Sequence, residues 1–219
     1  MDALAHAKPP RPPAKRVLPP QPKQAAIVMV GFTATLWVVH LINVLTSTPL
    51  SPGGLNGHGI RPLDFSGLGG VLWAPFLHGD WAHLMGNSLP FLIFGFLAMS
   101  GGVGQWLAVT SLIWLVGGMG VWLAGGMGTL HIGASGVVFG WLAFLLVRGV
   151  FSRSLPQIGV AIVLFFFYGG ILWGVLPGQP GISWQGHLFG ALGGALAAWL
   201  VAKSLAKQQS RPTLTPGLS

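Results

Sequence analysis

Three stretches of the chain carry side chains suited to acyl transfer: His131 to Gly140 (HIGASGVVFG), Phe76 to Asn87 (FLHGDWAHLMGN) and Gly186 to Gly194 (GHLFGALGG). A serine hydroxyl such as that of Ser135 is a poor nucleophile until a base takes its proton. A histidine such as His187 has a pKa suited to that task at neutral pH. A tetrahedral oxyanion also needs donors. His83 and Asn87 are spaced i,i+4, project from one helix face and can both donate. The backbone N–H of Ser135 is a third donor if the serine opens a helix, because the first N–H groups of a helix lack internal partners. Alone, Ser135 would read as a packing serine; its significance depends on what lies at the same depth on other segments.

The chain has 219 residues, of which 52% are hydrophobic and 6% charged, with a mean hydropathy of +0.70. Average domains carry about a quarter charged residues, so this composition suits a chain solvated mostly by lipid. Six charge-free runs occur, at 25–45, 81–100, 103–124, 132–147, 155–176 and 185–202. A helix needs about 20 residues to cross ~30 Å of hydrocarbon. The fourth run, only 16 residues long before Arg148, is short. The expected fold is therefore an all-α polytopic membrane protein with six transmembrane helices. Residues 1–24, rich in proline and cations, are expected to be a disordered tail. The membrane domain is expected over 25–203, and a short tail over 204–219.

Ten of the eleven cations precede run one, lie between runs four and five, or follow run six. With six spans these regions share one side, and the positive-inside rule makes it cytoplasmic. Only Arg61 falls outside, in the long loop 46–80. The expected location is the cell membrane, multi-pass, with both termini cytoplasmic. Runs two, four and six then all enter from the outer face, each with polar residues just after entry: His83 and Asn87, Ser135, and His187. The active site is expected to open outward.

Small residues let membrane helices approach closely. Gly136 and Gly140 on run four, and Gly190 and Gly194 on run six, are each four apart, and His187 shares the face of Gly190 and Gly194. If the two faces meet, Ser135 and His187 come within hydrogen-bonding reach. None of the three acids, Asp2, Asp64 and Asp80, lies inside a run, so the unit is a Ser–His dyad. Packing must hold the imidazole, and Phe139, one turn below Ser135, is placed to stack on it.

On these residues the chain resembles the rhomboid intramembrane serine proteases. Gly133-Ala134-Ser135-Gly136 matches Gly-x-Ser-Gly, and His187, Gly190 and Gly194 match His-x-x-Gly-x-x-x-Gly. His78 and the pair His83 and Asn87 match the entry to the second helix. The similarity spans about residues 25–203, in order. It implies a six-helix bundle with a water-filled cavity, Ser135 as nucleophile and His187 as general base. His83, Asn87 and the Ser135 amide form the implied oxyanion hole, with Phe139, Gly133, Gly136, Gly190, Gly194 and His78 in support. The implied partners are membrane-protein substrates with a transmembrane segment, besides the lipid bilayer, and no cofactor or metal is implied. Two positions depart from the family: Gly69-Gly70 stands where Trp-Arg is common in the first loop, and Phe139 where tyrosine is common.

Other classes fit less well. The pI near 11.4 follows from a near absence of acids, and no basic stripe with interleaved aromatics points to nucleic acid. A transporter would want ionisable groups along a path through the membrane, whereas the polar set here lies on one side. The zinc-protease His-Glu-x-x-His is absent. A rhomboid relative that binds without cleaving usually lacks the serine or the histidine. Three histidines fall outside the proposed chemistry: His78 is expected to be structural and hydrogen-bonded, His131 an exposed loop residue in preference to a group on a cavity rim, and His40 has no identifiable partner.

Overall fold

The computed structural model describes residues 15–49 and 53–209; the first 14 and last ten residues, where parts of both expected tails fall, lie outside them. Those described residues are helical and irregular, with no strand beyond one isolated bridge. The helices are α1 (Pro22–Thr46), a single turn α2 (Gly70–Trp73), α3 (Trp81–Ala98), α4 (Val103–Ala124), α5 (Ser135–Phe151), α6 (Leu155–Tyr168) and α7 (Trp184–Gln209). Short 3-10 turns extend α3 to Gly101 and α6 to Val175.

Five of these helices are long and apolar enough to cross a membrane: α1, extended α3, α4, extended α6 and α7. The sixth expected span, α5, is a shorter apolar helix of 17 residues, about 25 Å long. Its position explains the short length. It packs against α3, α4, α6 and, most extensively, α7, with Trp141, Leu142, Phe144 and Leu145 fully buried. A helix walled in by protein need not match the thickness of the hydrocarbon, so Ser135 can start below the bundle's end. Extended α6 is the opposite case: Phe165, Phe166 and Phe167 are exposed, Phe166 at 81%. The chain is an all-α polytopic membrane protein.

Two tail boundaries differ from expectation. Helix α1 begins at Pro22, three residues early, because proline at the first helical position has its φ preset and needs no partner for a missing N–H. Residues 15–21 just before it are seated on the bundle: Pro19 is buried, and the Arg16 carbonyl accepts from Gln157 Nε2 at 3.0 Å. At the other end, α7 continues to Gln209, past residue 203.

The connection between α1 and α3 is folded rather than open. Ile60 exchanges both backbone hydrogen bonds with His131 at 2.9 Å, and Gly133 N–H donates to the Ala74 carbonyl at 2.8 Å. Trp114 Nε1 donates to the Val71 carbonyl at 2.7 Å, and Trp122 Nε1 to the Asp64 carbonyl at 3.0 Å. These bonds pin the loop to α4 and to the segment just before Ser135. Its Phe65, Leu72 and Trp73 side chains are exposed on the outside of the bundle.

Candidate active site

Ser135 is the first residue of α5. Its Oγ lies 2.8 Å from His187 Nε2, although the residues are 52 positions apart. The two helices meet through glycine. A side-chain carbon at Gly190 would overlap the Gly136 carbonyl, and one at Gly194 the Gly140 carbonyl. One at Gly136 would lie 3.2 Å from the Gly186 carbonyl, a milder clash. On its other side α7 packs on α4, where a carbon at Gly120 would strike the Phe189 ring.

The imidazole of His187 is held on three sides. Phe139 stacks on it with ring centroids 4.0 Å apart and planes 6° from parallel. The Gly174 carbonyl lies 2.9 Å from Nδ1. A carbonyl only accepts, so Nδ1 carries the proton and Nε2 presents a lone pair to the Ser135 hydroxyl. Sequence reasoning missed Gly174, which belongs to the 3-10 turns after α6. A side-chain carbon there would lie 2.9 Å from His187 Nδ1 and 3.0 Å from Phe139 Cζ. The available signal was three glycines, at 169, 170 and 174, closing an otherwise bulky run.

His83 and Asn87 line the same open cavity as Ser135 and His187, with a volume of about 970 Å³. His83 is capped into α3 by Asp80, whose carboxylate accepts from the His83 N–H at 2.7 Å. The Gly79 N–H makes a long 3.5 Å approach to His83 Nδ1, which favours Nε2 as the protonated nitrogen. That Nε2 lies against Gly133: a carbon on Gly133 would sit 2.7 Å from it and 3.7 Å from Ser135 Oγ. Gly133 also has φ +120°, so both its conformation and its neighbour demand glycine. Asn87 is buried, and its Nδ2 has no hydrogen-bond partner among the described residues.

Two histidines differ from expectation. His131 is not an exposed loop residue but a half-buried group on the cavity rim, because its backbone pairing with Ile60 turns the ring inward. The Thr129 hydroxyl donates to the Gly126 carbonyl, so Thr129 Oγ accepts from His131 Nε2 at 2.8 Å. His131 Nδ1 then accepts from the Ser183 hydroxyl at 2.7 Å, while Ser183 Oγ accepts from the Gly186 N–H at 3.3 Å. This chain ties the loop before Ser135 to the first turn of α7, one turn before His187. Burial pushes the His131 pKa down.

His78 is fully buried, and its carbonyl accepts from Asn56 Nδ2 at 2.9 Å. Its ring, expected to be hydrogen-bonded, has a weak backbone contact with Phe76 but no partner of normal geometry at either nitrogen among the described residues. It sits instead among aromatic faces, 5.1 Å from the His83 ring and 6.5 Å from the His40 ring. Burial, with the neighbouring His83 charge as a smaller cause, holds its pKa down at about 4. His40 packs edge-on against Trp81, with centroids 4.5 Å apart.

The chain is similar to known proteins over most of its length. The family model of the Rhomboid domain matches residues 68–204, which hold all three glycine-rich or histidine-bearing segments. An uncharacterised protein of Mycobacterium tuberculosis (strain H37Rv) is 45% identical over 182 residues, 80% of this chain and 74% of the relative. One of Mycobacterium leprae is 44% identical over 184 residues, 80% of this chain and 71% of the relative. A Bacillus subtilis protein named as a candidate rhomboid protease is 27% identical over 126 residues, 57% of this chain and 62% of the relative. With more than half of its length under one family model and its segments in that order, the chain belongs to the rhomboid family.

Proposed function

We propose that this rhomboid is an intramembrane serine endopeptidase that cleaves transmembrane or membrane-proximal segments of other membrane proteins. The observation that carries the reading is the 2.8 Å approach of Ser135 Oγ to His187 Nε2, with Nδ1 bound to the Gly174 carbonyl. That pairing fixes the one tautomer able to accept the serine proton. His187 takes it as Oγ attacks the scissile carbonyl carbon. The new oxyanion is met by the Ser135 N–H, by His83 Nε2–H and by Asn87 Nδ2, the last with no hydrogen-bond partner among the described residues. The tetrahedral intermediate collapses, the peptide C–N bond breaks, and His187 hands its proton to the leaving amine. Water from the cavity then attacks the acyl-enzyme, with His187 again accepting a proton, and Ser135 regains its own. Helix-breaking or extended stretches of a substrate suit this site, because the scissile carbonyl must leave a helix to reach Ser135.

The proposed setting is the cell membrane, with both termini cytoplasmic and the cavity opening to the outer face, on the strength of the cation distribution. The test is labelling by a fluorophosphonate, which acylating serines attack and packing serines do not. Label should map to Ser135, persist in chelator, vanish in Ser135→Ala and largely vanish in His187→Ala. It should fall as pH drops through the imidazole range and the base becomes protonated. Label on another residue, or cleavage of a transmembrane substrate by Ser135→Ala, would overturn the assignment.

A further inference from the structure

The cation-rich end of the bundle buries a charge that the Ser135 site does not use. Arg148 lies near the last turn of α5, about 20 Å along the helix from Ser135, and is only 5% exposed. Its Nη1 donates to Ser100 Oγ, and its Cζ lies 5.5 Å from the centroid of the Phe144 ring. Its Nε and Nη2 are both buried and have no hydrogen-bond partner among the described residues. These two donors lie along one edge of the planar guanidinium, the edge that grips two oxygens of a single oxyanion. Beside it opens a small cleft of about 20 Å³ with Ser100, Gln105, Ser152 and Gln157 in its lining, the remainder of which is apolar side chains of α5 and α7.

No carboxylate among the described residues answers this charge. Asp64 accepts from the Ser66 N–H and Asp80 from the His83 N–H, both at the opposite end of the bundle. The other charged groups at this end among the described residues, Lys15, Arg16, Lys23, Arg153, Lys203 and Lys207, are positive. A buried ion left without a counter-ion is costly. One water fits a cleft of this size and would satisfy a donor, but it would leave the charge. An anionic oxygen in the water's place does both.

We propose that Arg148 and this cleft bind a phosphate-class oxyanion. Two of its oxygens take the Nε and Nη2 edge, the Ser100 hydroxyl is free to donate to it, and the rest of the group stays at the mouth. The cleft lies at the cation-rich end of the bundle, beside the end of α5 and the start of α6, so either the headgroup of an anionic phospholipid or free phosphate can supply the chemistry. The site is independent of proteolysis at Ser135.

The full chain is purified into phosphatidylcholine nanodiscs, and its thermal stability is followed in one arm with inorganic phosphate against chloride at equal ionic strength. In the other arm phosphatidylglycerol replaces part of the phosphatidylcholine, and retained lipid is counted by native mass spectrometry. The expected result is a saturable rise in Tm, about 5 °C or more at a hundredfold excess over Kd. It is lost in Arg148→Met and weakened in Arg148→Lys, which keeps the charge but not the edge. A rise with inorganic phosphate identifies a small anion; a rise and one retained lipid with phosphatidylglycerol alone identify the headgroup. If Arg148→Met does not fold, Arg148→Lys and the count on the unaltered chain decide. No rise in either arm, or an equal rise without the arginine, overturns the proposal. A rise seen only in Asp2→Asn also overturns it, by making the chain's own N-terminal carboxylate the counter-ion.

Discussion

A histidine base usually leans on a carboxylate; His187 leans on a peptide carbonyl and a phenyl face. A carbonyl dipole fixes the tautomer and the ring's angle but offers the imidazolium less than a full charge. The transition state must therefore draw more on the oxyanion donors. Losing one such donor typically lowers the rate by about 10²–10³, so Asn87→Ala and His83→Ala should each fall in that range in a transmembrane-substrate assay, with residual cleavage still measurable. Wild-type rates in Asn87→Ala would remove it from the proposed hole. His78 supports a different prediction. Its folded pKa is depressed from 6.5 to about 4, so the unfolded chain binds the proton first. Stability from keeping this ring neutral is present above pH 6.5 and is lost as pH falls toward 4, on the order of 3 kcal/mol in all. Thermal melts from pH 7 to 4 should show the decline, and His78→Gln should flatten it whatever its stability at pH 7. An unchanged slope would place the acid sensitivity elsewhere.

The dyad distance is set between elements, by α5 and α7 touching through backbone. The glycines are unequal. Gly190 and Gly194 face carbonyl oxygens that belong to α5's own hydrogen-bond ladder and cannot move aside, whereas a carbon at Gly136 meets the Gly186 carbonyl at 3.2 Å and needs a shift of only tenths of an ångström. Overpacking of this kind costs about 1–3 kcal/mol, and an ångström of misplacement can cost about 10²-fold in rate. Gly190→Ala and Gly194→Ala should therefore lose about 10²-fold or more in cleavage with a lowered Tm, while Gly136→Ala keeps most of both. Equal effects at all three positions would mean that α7 adjusts as a rigid rod. Gly174 extends this logic to the turn after α6. That turn carries the carbonyl that lies 2.9 Å from His187 Nδ1, so it also sets the orientation of the proposed base.

For the whole molecule, α5 is short because it is enclosed, and its enclosure places Ser135 at the floor of an open cavity instead of at the bundle's surface. The cavity faces away from the end where the cations gather, and that asymmetry gives the proposed topology a direct check. Reporter fusions at residue 60 and residue 150 should report opposite sides, with 150 cytoplasmic. Both on one side would break the six-span arrangement proposed for the membrane, and reversed sides would invert the cavity.

Much of this was written in the order of residues. The charge-free runs define the helices, since a chain without charges has no other stable state in lipid than one with its backbone bonds satisfied locally. The glycine spacing at 136, 140, 190 and 194 marked the faces that meet, and the shared depth of Ser135, His187, His83 and Asn87 marked one polar site, because helix periodicity and span parity are both readable along the chain. The contacts made across the fold were not. Gly174 reaches His187 only because the turn after α6 bends inward, and His131 faces the cavity only because it pairs with Ile60, 71 positions earlier. The ring nitrogens of His78 and the open edge of Arg148 are likewise facts of burial, fixed by which neighbours surround a side chain. Spacing along one helix carries no information about a backbone carbonyl or a missing counter-ion on another, and those were decided by tertiary packing alone.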